Sequence, residues 1–355
     1  MAEHSAIFAF VLLVTVGLAW CGSQPLSCIG DSGQPVDWFI AYKLPKKVDT
    51  PLQDGYGYVY MDKDSNGFKV SKSSAADTTS AMGATLKPAY SASKDSKSSV
   101  AYIFYNDANP DGKEFFYRAH SKGDVVFNEN GGFWLVHSVP KYPEFVRTGY
   151  GYPHSGTYYG QMFFCVSFNS SQIDPIGLQL RYNGPHIHDS NLPDAMKEKF
   201  PNIAAAINED FIAGPPYNHS QRLVSSAGKT LIHFAKNKDF GADLYSSFVA
   251  PALQTNMLAE TWQHGSAKTG SSCDGYTVEN ILQLAVKTDA QEFDFDNYAD
   301  HAKFVVAKSS EKPYVCIGDI NRMTTQFERG GGTLCVSDSY IWKAFRNFAT
   351  QIDSC

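Results

Sequence analysis

Two short stretches, His120-Ser121-Lys122 and His301-Ala302-Lys303, each place a lysine two residues after a histidine. On a β-strand, residues i and i+2 point to the same face. Each histidine and its lysine can therefore be aimed at one spot. The two pairs can cooperate only if the fold brings distant parts of the chain together, and this requirement restricts the folds that the chain can adopt.

The surroundings of the two pairs repeat as well. Ser138 lies eighteen residues after His120, and Asp319 lies eighteen residues after His301. Both Ser138 and Asp319 come after a run of apolar residues. A shared motif followed at the same offset by a matching apolar strand predicts two copies of one structural unit.

The paired histidines predict phosphoryl-transfer chemistry. With a phosphodiester between the units, one imidazole can attack phosphorus and form a phosphohistidine, while the other protonates the leaving oxygen and later activates water. Lys122 and Lys303 would neutralise charge on the phosphate oxygens. One histidine must be neutral and the other protonated, so the working pH should lie near or below neutrality. This chemistry needs no metal or cofactor, and it leaves open which histidine is the nucleophile.

Taken alone, each His-x-Lys is typical of an ordinary surface, and only the paired context favours catalysis. Further candidates for substrate contact are polar residues near the apolar runs or the glycine-rich segment 328–332: His137, Ser138, Asp319, Asn321, Arg322 and Arg329. The two arginines are suited to phosphate, with structural ion pairs as the alternative. The sequence contains no Gly-x-Ser-x-Gly elbow, His-Glu-x-x-His motif or phosphate-binding P-loop.

Residues 1–25 predict a cleaved secretory signal, because residues 6–20 are apolar apart from Thr15 and Gly17 and small residues follow. The alternative is a membrane anchor, for which the stretch is short. Without the signal, six of the seven cysteines remain, and an even number in an exported chain predicts three disulfides. Asn169 and Asn218 begin N-glycosylation sequons. We therefore expect a lysosomal or secreted glycoprotein that is not held in a membrane.

The charge balance bears on possible partners. The formal charge is −6, or −5 once Glu3 leaves with the signal, and this is not typical of proteins that grip nucleic acid at neutral pH. Protonating the nine histidines that remain without His4 would bring the balance to about +4 near pH 5. An acidic compartment would therefore reconcile the composition with a polyanionic substrate.

Local patterns predict the elements around these motifs. Strands are expected over residues 36–43, 100–105 and 161–168. Helices are expected over residues 195–200, 203–207 and 223–238, and around residues 342–345 near the C-terminus. His233 lies off the apolar face of the third helix, which predicts a surface position. We expect one half over residues 26–180 and a second half, with the helical segment, over residues 181–355.

The sequence resembles the deoxyribonuclease II family, acid endonucleases within the phospholipase D superfamily. The matching stretches run through nearly the whole mature chain: residues 28–39, 131–140, 300–303, 318–322, 329–335 and 342–345. The resemblance implies an α/β fold of two phospholipase D-like halves, with mixed sheets flanked by helices, related by a pseudo-twofold axis. It also implies that the active site lies in the cleft between the halves.

The resemblance further implies metal-independent hydrolysis of double-stranded DNA at acid pH, with 3′-phosphate and 5′-hydroxyl ends, by a monomer or homodimer. The implied catalytic set is His120, Lys122, His301 and Lys303. The implied disulfides are Cys28–Cys165, Cys273–Cys355 and Cys316–Cys335. The superfamily's aspartate after the lysine is not evident in either unit, and Asp319 is a candidate to orient a histidine instead. The alternatives are a phospholipase D-like lipid hydrolase and a secreted toxin derived from a nuclease.

Overall fold

The computed structural model describes residues 24–52, 54–92 and 98–355. The predicted signal lies almost entirely outside this part of the chain. The strands of the described part are β1 (Cys28–Ile29), β2 (Pro35–Val36), β3 (Trp38–Lys43), β4 (Tyr58–Asp62), β5 (Lys69–Val70), β6 (Ala101–Tyr105), β7 (Gly123–Asn128), β8 (Gly131–His137), β9 (Gln161–Asn169), β10 (Ile187–Asn191), β11 (Asn218–Val224), β12 (Thr230–Lys236), β13 (Met257–Glu260), β14 (Val278–Lys287), β15 (Glu292–Asp296), β16 (Phe304–Ala307), β17 (Tyr314–Gly318), β18 (Gly331–Ser337) and β19 (Ala349–Asp353).

Helices are fewer and mostly short. They are α1 (Ala81–Ala92), α2 (Ile173–Asn183), α3 (Asp194–Lys197), α4 (Pro201–Ile207), α5 (Ala250–Leu253), α6 (Thr324–Phe327) and α7 (Ser339–Arg346). The chain is thus a mixed α/β protein dominated by β-structure, in agreement with the predicted class. The predicted strands at β3, β6 and β9 and the predicted helices at α3, α4 and α7 are confirmed.

Two large sheets contain nearly all the strands. The first sheet has the order β10-β6-β7-β8-β9-β3-β4-β5, and the second has the order β11-β12-β18-β17-β16-β13-β14-β15, with β19 paired to β14. Neighbouring strands are antiparallel, except that β13 and β14 are parallel. In both sheets the segment that carries a His-x-Lys unit leads directly into a central strand, β7 or β16.

The sheets pack face to face across one shared core. Strand β3 shows the arrangement, because Trp38, Ile40 and Tyr42 join a cluster with residues of the second sheet. The alternate residues Phe39 and Ala41 point to the other face, where α1 covers them. Both faces of the central strands are therefore buried, and the two His-x-Lys units are held close together by the contact between the sheets.

The predicted helix over residues 223–238 is wrong, because this segment forms the antiparallel hairpin of β11 and β12. Strand β12 is buried on both faces, so its near-continuous apolar run coincides with helical spacing. Gly228 has a φ of +91° and allows the turn. His233 is consequently 2% exposed and not at the surface, with its Nδ1 atom 2.8 Å from the Gln179 amide nitrogen.

The disulfides Cys28–Cys165, Cys273–Cys355 and Cys316–Cys335 are all present, as the resemblance implied. Cys316 and Cys335 lie directly opposite each other on β17 and β18. This bridge encloses the loop between those strands. Among the described residues, no helix has the length and apolarity that crossing a bilayer requires.

Candidate active site

The structure brings the two His-x-Lys units together. His120 and His301 line one cleft of about 510 Å³, together with Arg329, Asn321 and Trp262. Both units lie just ahead of β7 and β16, outside regular secondary structure, and not within the strands as predicted. Each lysine folds back onto its own histidine. Lys122 Nζ donates to the carbonyl of His120 at 2.9 Å, and Lys303 Nζ donates to that of His301.

Each histidine is oriented by the other unit. The Nδ1 atom of His301 lies 3.0 Å from the carbonyl oxygen of Ser138, and the Nδ1 atom of His120 contacts the carbonyl oxygen of Asp319. Ser138 and Asp319 are the residues found eighteen positions after the opposite histidine. An Nδ1–H that donates to a carbonyl leaves Nε2 as the reactive nitrogen of a neutral imidazole.

The backbones of the histidines are held in the same reciprocal way. His120 N–H donates to Gly330 O at 2.9 Å, and His301 N–H donates to Gly160 O at 2.9 Å. These two glycines immediately precede β18 and β9. A Cβ atom on Gly160 would lie 2.2 Å from the Asp300 carboxylate, and one on Gly330 would lie 1.9 Å from a backbone oxygen. The close approach therefore requires glycine at both positions.

Asp107 is a site residue that sequence reasoning missed. Its carboxylate lies 2.6 Å from Lys122 Nζ, 3.3 Å from the Arg329 guanidinium and 3.6 Å from His120 Nε2. It follows β6, a strand that pairs with β7. The position of an aspartate two residues beyond a predicted buried strand was the available signal. Although burial opposes ionisation, the charges of Lys122, His120 and Arg329 hold the pKa of Asp107 well below its usual range.

An indole lies beside the second His-x-Lys unit at the strand register where Asp107 lies beside the first. Tyr105 pairs with Gly123, the residue after Lys122, and Glu260 pairs with Phe304, the residue after Lys303. Two residues beyond these positions lie Asp107 and Trp262. The Trp262 ring is 5.1 Å from the His301 ring and stacks on His264 at 3.5 Å. The two histidines therefore have different neighbours at equivalent positions.

Basic side chains are crowded at the cleft. Burial lowers the pKa of His120 and of His301 well below the usual range, and the neighbouring lysines lower both further. Lys303 has no carboxylate within ion-pair distance among the described residues, and burial lowers its pKa as well. A bound phosphodiester would oppose these shifts, because a nearby negative charge favours the protonated forms.

The other predicted contacts divide into two groups. Arg329 and Asn321 line the cleft, and the Asn321 Oδ1 atom has no hydrogen-bond partner within the described part of the chain. Ser138 and Asp319 act instead through their carbonyl groups. The Ser138 hydroxyl bonds to Gln161 at 2.6 Å, and the Asp319 carboxylate accepts the Gly332 N–H at 3.0 Å.

Two of the predicted substrate contacts have fully buried side chains. Arg322 is fully buried, and its guanidinium lies 3.0 Å from the Asp243 carboxylate, so the structural ion pair was the correct alternative. His137 is also fully buried, and its Nδ1 atom accepts the Val139 N–H at 3.2 Å. In sequence both residues lie next to other site candidates, but in the structure their side chains are buried in the core.

The Asn169 side chain is exposed at the end of β9, and Asn218 is part-exposed at the start of β11. Glycosylation at both stays a prediction. Across the described ranges, no group of three or more histidine, cysteine, aspartate or glutamate side chains is arranged to hold a metal ion.

Residues 27–355 match the deoxyribonuclease II family. The chain is 35% identical over 362 aligned positions to Plancitoxin-1 of Acanthaster planci, with all of both chains covered. It is 37% identical over 350 positions to deoxyribonuclease-2-alpha of Sus scrofa, covering 97% of this chain and 94% of that protein. It is 34% identical over 357 positions to cell death-related nuclease 6 of Caenorhabditis elegans, covering 97% and 93%. The similarity therefore includes both His-x-Lys units.

Proposed function

Because the chain belongs to the deoxyribonuclease II family, whose members hydrolyse DNA, we propose that it is an acid endodeoxyribonuclease that cuts through a phosphohistidine without metal. The products would be 3′-phosphate and 5′-hydroxyl ends of double-stranded DNA. The observation that carries this proposal is the reciprocal orientation of His120 and His301 in one cleft.

The reciprocal contacts also support two phospholipase D-like halves related by a pseudo-twofold axis. Each histidine is hydrogen-bonded through its Nδ1 atom and through its backbone N–H to carbonyl groups at equivalent positions of the opposite unit. The strands around them correspond in order, with β6, β7, β8 and β9 in one sheet matching β13, β16, β17 and β18 in the other. An axis between the two histidines would relate these contacts.

The asymmetry of the cleft supports one division of the two catalytic roles. A carboxylate beside Nε2 stabilises a proton there, and Asp107 lies beside Nε2 of His120. His301 faces Trp262, so its Nε2 lone pair is free when Nδ1–H donates to Ser138. His120 is accordingly the general acid and His301 the nucleophile.

The reaction then takes two steps. Nε2 of His301 bonds to phosphorus as the bond to the 5′ oxygen breaks, and His120 donates its proton to that oxygen. Water next attacks phosphorus, His120 accepts the water proton, and the phosphorus–nitrogen bond breaks to release a 3′-phosphate end. Lys122, Lys303 and Arg329 balance the charge on the phosphate oxygens in both steps.

Plasmid cleavage at about pH 5 in the presence of EDTA tests this function. The wild-type protein should cut, whereas His120→Ala and His301→Ala should lose about 1,000-fold or more in rate. His154→Ala is a matched control, because the His154 side chain is exposed and does not line the cleft. Loss of cutting in EDTA would exclude the metal-free mechanism, and normal cutting by both site variants would exclude the site.

A secreted toxin role is the second candidate, and the full-length similarity to Plancitoxin-1 favours it. It is compatible with nuclease chemistry, since a nuclease can act outside the cell that makes it. Comparing the toxicity of wild-type protein and of His301→Ala to cultured cells tests this role. Toxicity that is lost in His301→Ala would depend on DNA digestion, whereas a wild-type protein without toxicity would leave digestion as the whole function. A lysosomal or secreted location, and a monomer or homodimer, belong to the same proposal.

A further inference from the structure

Two buried lysines lie outside the catalytic set but occupy equivalent places in the two halves. Lys43 is the last residue of β3 and Lys236 is the last residue of β12, and their side chains are 0% and 1% exposed. Neither ammonium group lies within ion-pair distance of a carboxylate in the described part of the chain. Burying a charged lysine without a partner carboxylate costs free energy of folding unless other groups accept hydrogen bonds from its ammonium group.

Each ammonium group donates to several backbone carbonyls of a single loop, and the two loops are different. Lys43 Nζ donates to Thr157 O at 2.8 Å and to Tyr159 O. Lys236 Nζ donates to Phe327 O at 2.9 Å, to Arg329 O and to Gln326 O at 3.0 Å. An ammonium group has three donors and no acceptor, which suits it to binding several carbonyl groups that water cannot reach.

The strand register makes the two sets of contacts equivalent. Lys43 lies opposite Gln161, the first residue of β9, and Lys236 lies opposite Gly331, the first residue of β18. In both halves the ammonium group therefore binds the carbonyls found four and two residues before the strand. Only one residue remains between this anchored segment and the strand.

That one residue holds a catalytic histidine. It is Gly160 in the first half, whose carbonyl accepts the N–H of His301. It is Gly330 in the second half, whose carbonyl accepts the N–H of His120. Neither glycine has room for a side chain, so the loops approach their neighbours as closely as a backbone can.

We propose that Lys43 is a positioning residue for His301. Lys236 has the same role for His120. Each lysine draws the carbonyls of one loop inward, the loop presents its glycine carbonyl, and that carbonyl fixes the backbone of one histidine. The expected effect of these lysines on the rate of DNA cleavage rests on the proposed function. The pairing of each lysine with one histidine rests on the geometry alone.

The protonation of the two lysines is compatible with a positioning role at acid pH. Burial lowers the pKa of Lys43 to about 7, against the opposing charge of Asp300. Burial lowers the pKa of Lys236 to about 7, with Asp243 and Asp319 opposing and Arg329 adding to the shift. Both groups are therefore charged, with all three donors present, near pH 5, and they lose a proton as the pH rises through neutrality.

The first test is kinetic. Lys43→Met and Lys236→Met keep the side-chain length but remove the charge and the donors. A misplaced histidine should lower kcat about 100-fold while KM changes less than about twofold. Lys229→Met is the matched control, because Lys229 lies at the other end of the β11–β12 hairpin and pairs with Asp338. It should leave kcat unchanged. Folded Lys→Met variants with wild-type kcat would overturn the proposal.

The second test does not depend on DNA cleavage. Side-chain NMR of isotope-labelled histidine follows the titration and tautomer of each imidazole in the intact protein. Lys43→Met should shift the signals of His301 and leave those of His120, and Lys236→Met should do the reverse. Shifts of both histidines in both variants, or of neither, would overturn the proposal, even if the wild-type protein failed to cut DNA. Lys43→Gln and Lys236→Gln, which retain two N–H donors on a neutral amide, replace any methionine variant that does not fold and should give smaller shifts in the same pattern.

Discussion

The ammonium group of Lys122 lies 2.6 Å from the carboxylate of Asp107, and Lys122 is fully buried. Asp107→Asn would keep the shape of the side chain but leave the lysine charge without its partner. Breaking a buried pair in this way should lower the free energy of unfolding by about 3 kcal/mol at pH 5, and kcat should fall with it. Urea denaturation and plasmid cleavage measure the two effects.

The pH dependence of that loss follows from the depressed pKa of Asp107. A carboxyl group whose pKa is lower in the folded state stabilises the protein above its unfolded pKa, and the stabilisation disappears as the pH falls through the folded value. The difference between wild type and Asp107→Asn should therefore be constant from pH 7 to pH 5 and shrink only in stronger acid. Asp64→Asn, which removes an exposed ion pair with Lys63, should show no measurable difference.

Asp319→Asn should make the protein's stability less dependent on pH. Burial raises the pKa of Asp319 to about 6, above the usual value for an aspartate. The folded state then binds a proton that the unfolded state releases, so this residue's contribution to stability rises as the pH falls through about 6. The melting temperature of wild type minus that of Asp319→Asn should increase from pH 7 to pH 5. A constant difference would show that the Asp319 carboxyl group does not titrate in this range.

Trp262→Leu should reduce kcat by up to about tenfold, because His301 loses the aromatic ring beside it. His264→Ala is the informative comparison. It removes the ring stacked on Trp262 but leaves the contact between Trp262 and His301. Steady-state kinetics should therefore place His264→Ala between wild type and Trp262→Leu. Equal rates for all three proteins would mean that the indole does not restrain His301.

The disulfides should separate stability from activity. Cys316–Cys335 closes a sequence separation of 19 residues and Cys273–Cys355 one of 82, so chain entropy predicts about 3 and about 4.5 kcal/mol of stabilisation. The shorter loop contains Asp319 and Gly330, which contact His120. Replacing the Cys316 and Cys335 pair by alanine should thus cost less stability but more activity than replacing the other pair. Denaturation midpoints and cleavage rates of the two double variants check both rankings.

The sequence predicted which residues meet at the candidate site more completely than it predicted the strands and helices around them. The offset of eighteen residues from each histidine identified Ser138 and Asp319, and both contact the opposite histidine in the structure. Their role was different from the prediction, because the groups that orient the histidines are backbone carbonyls and not side chains. Every residue has a carbonyl, so a pattern of side-chain types cannot reveal such a contact.

The errors have different physical origins. Arg322 and His137 lie beside site residues in sequence, but both side chains are fully buried in the structure. The β11–β12 hairpin was predicted as a helix because a strand buried on both faces loses its alternation of polar and apolar residues. Asp107 was missed because the pairing of β6 with β7 brings Lys122 to it, and Arg329 reaches it from 222 residues further along the chain.

The sequence alone determined the candidate reactive groups of this protein and the repeated spacing around them, because residue type and spacing need no knowledge of distant contacts. The cysteine pairing came from the family resemblance, and the structure contains it. Only the tertiary structure decided which groups act on which histidine. The sheets pack face to face, and this contact gives His120 the carboxylate of Asp107 and His301 the indole of Trp262. It also places Lys43 and Lys236 behind the loops that hold the two histidines.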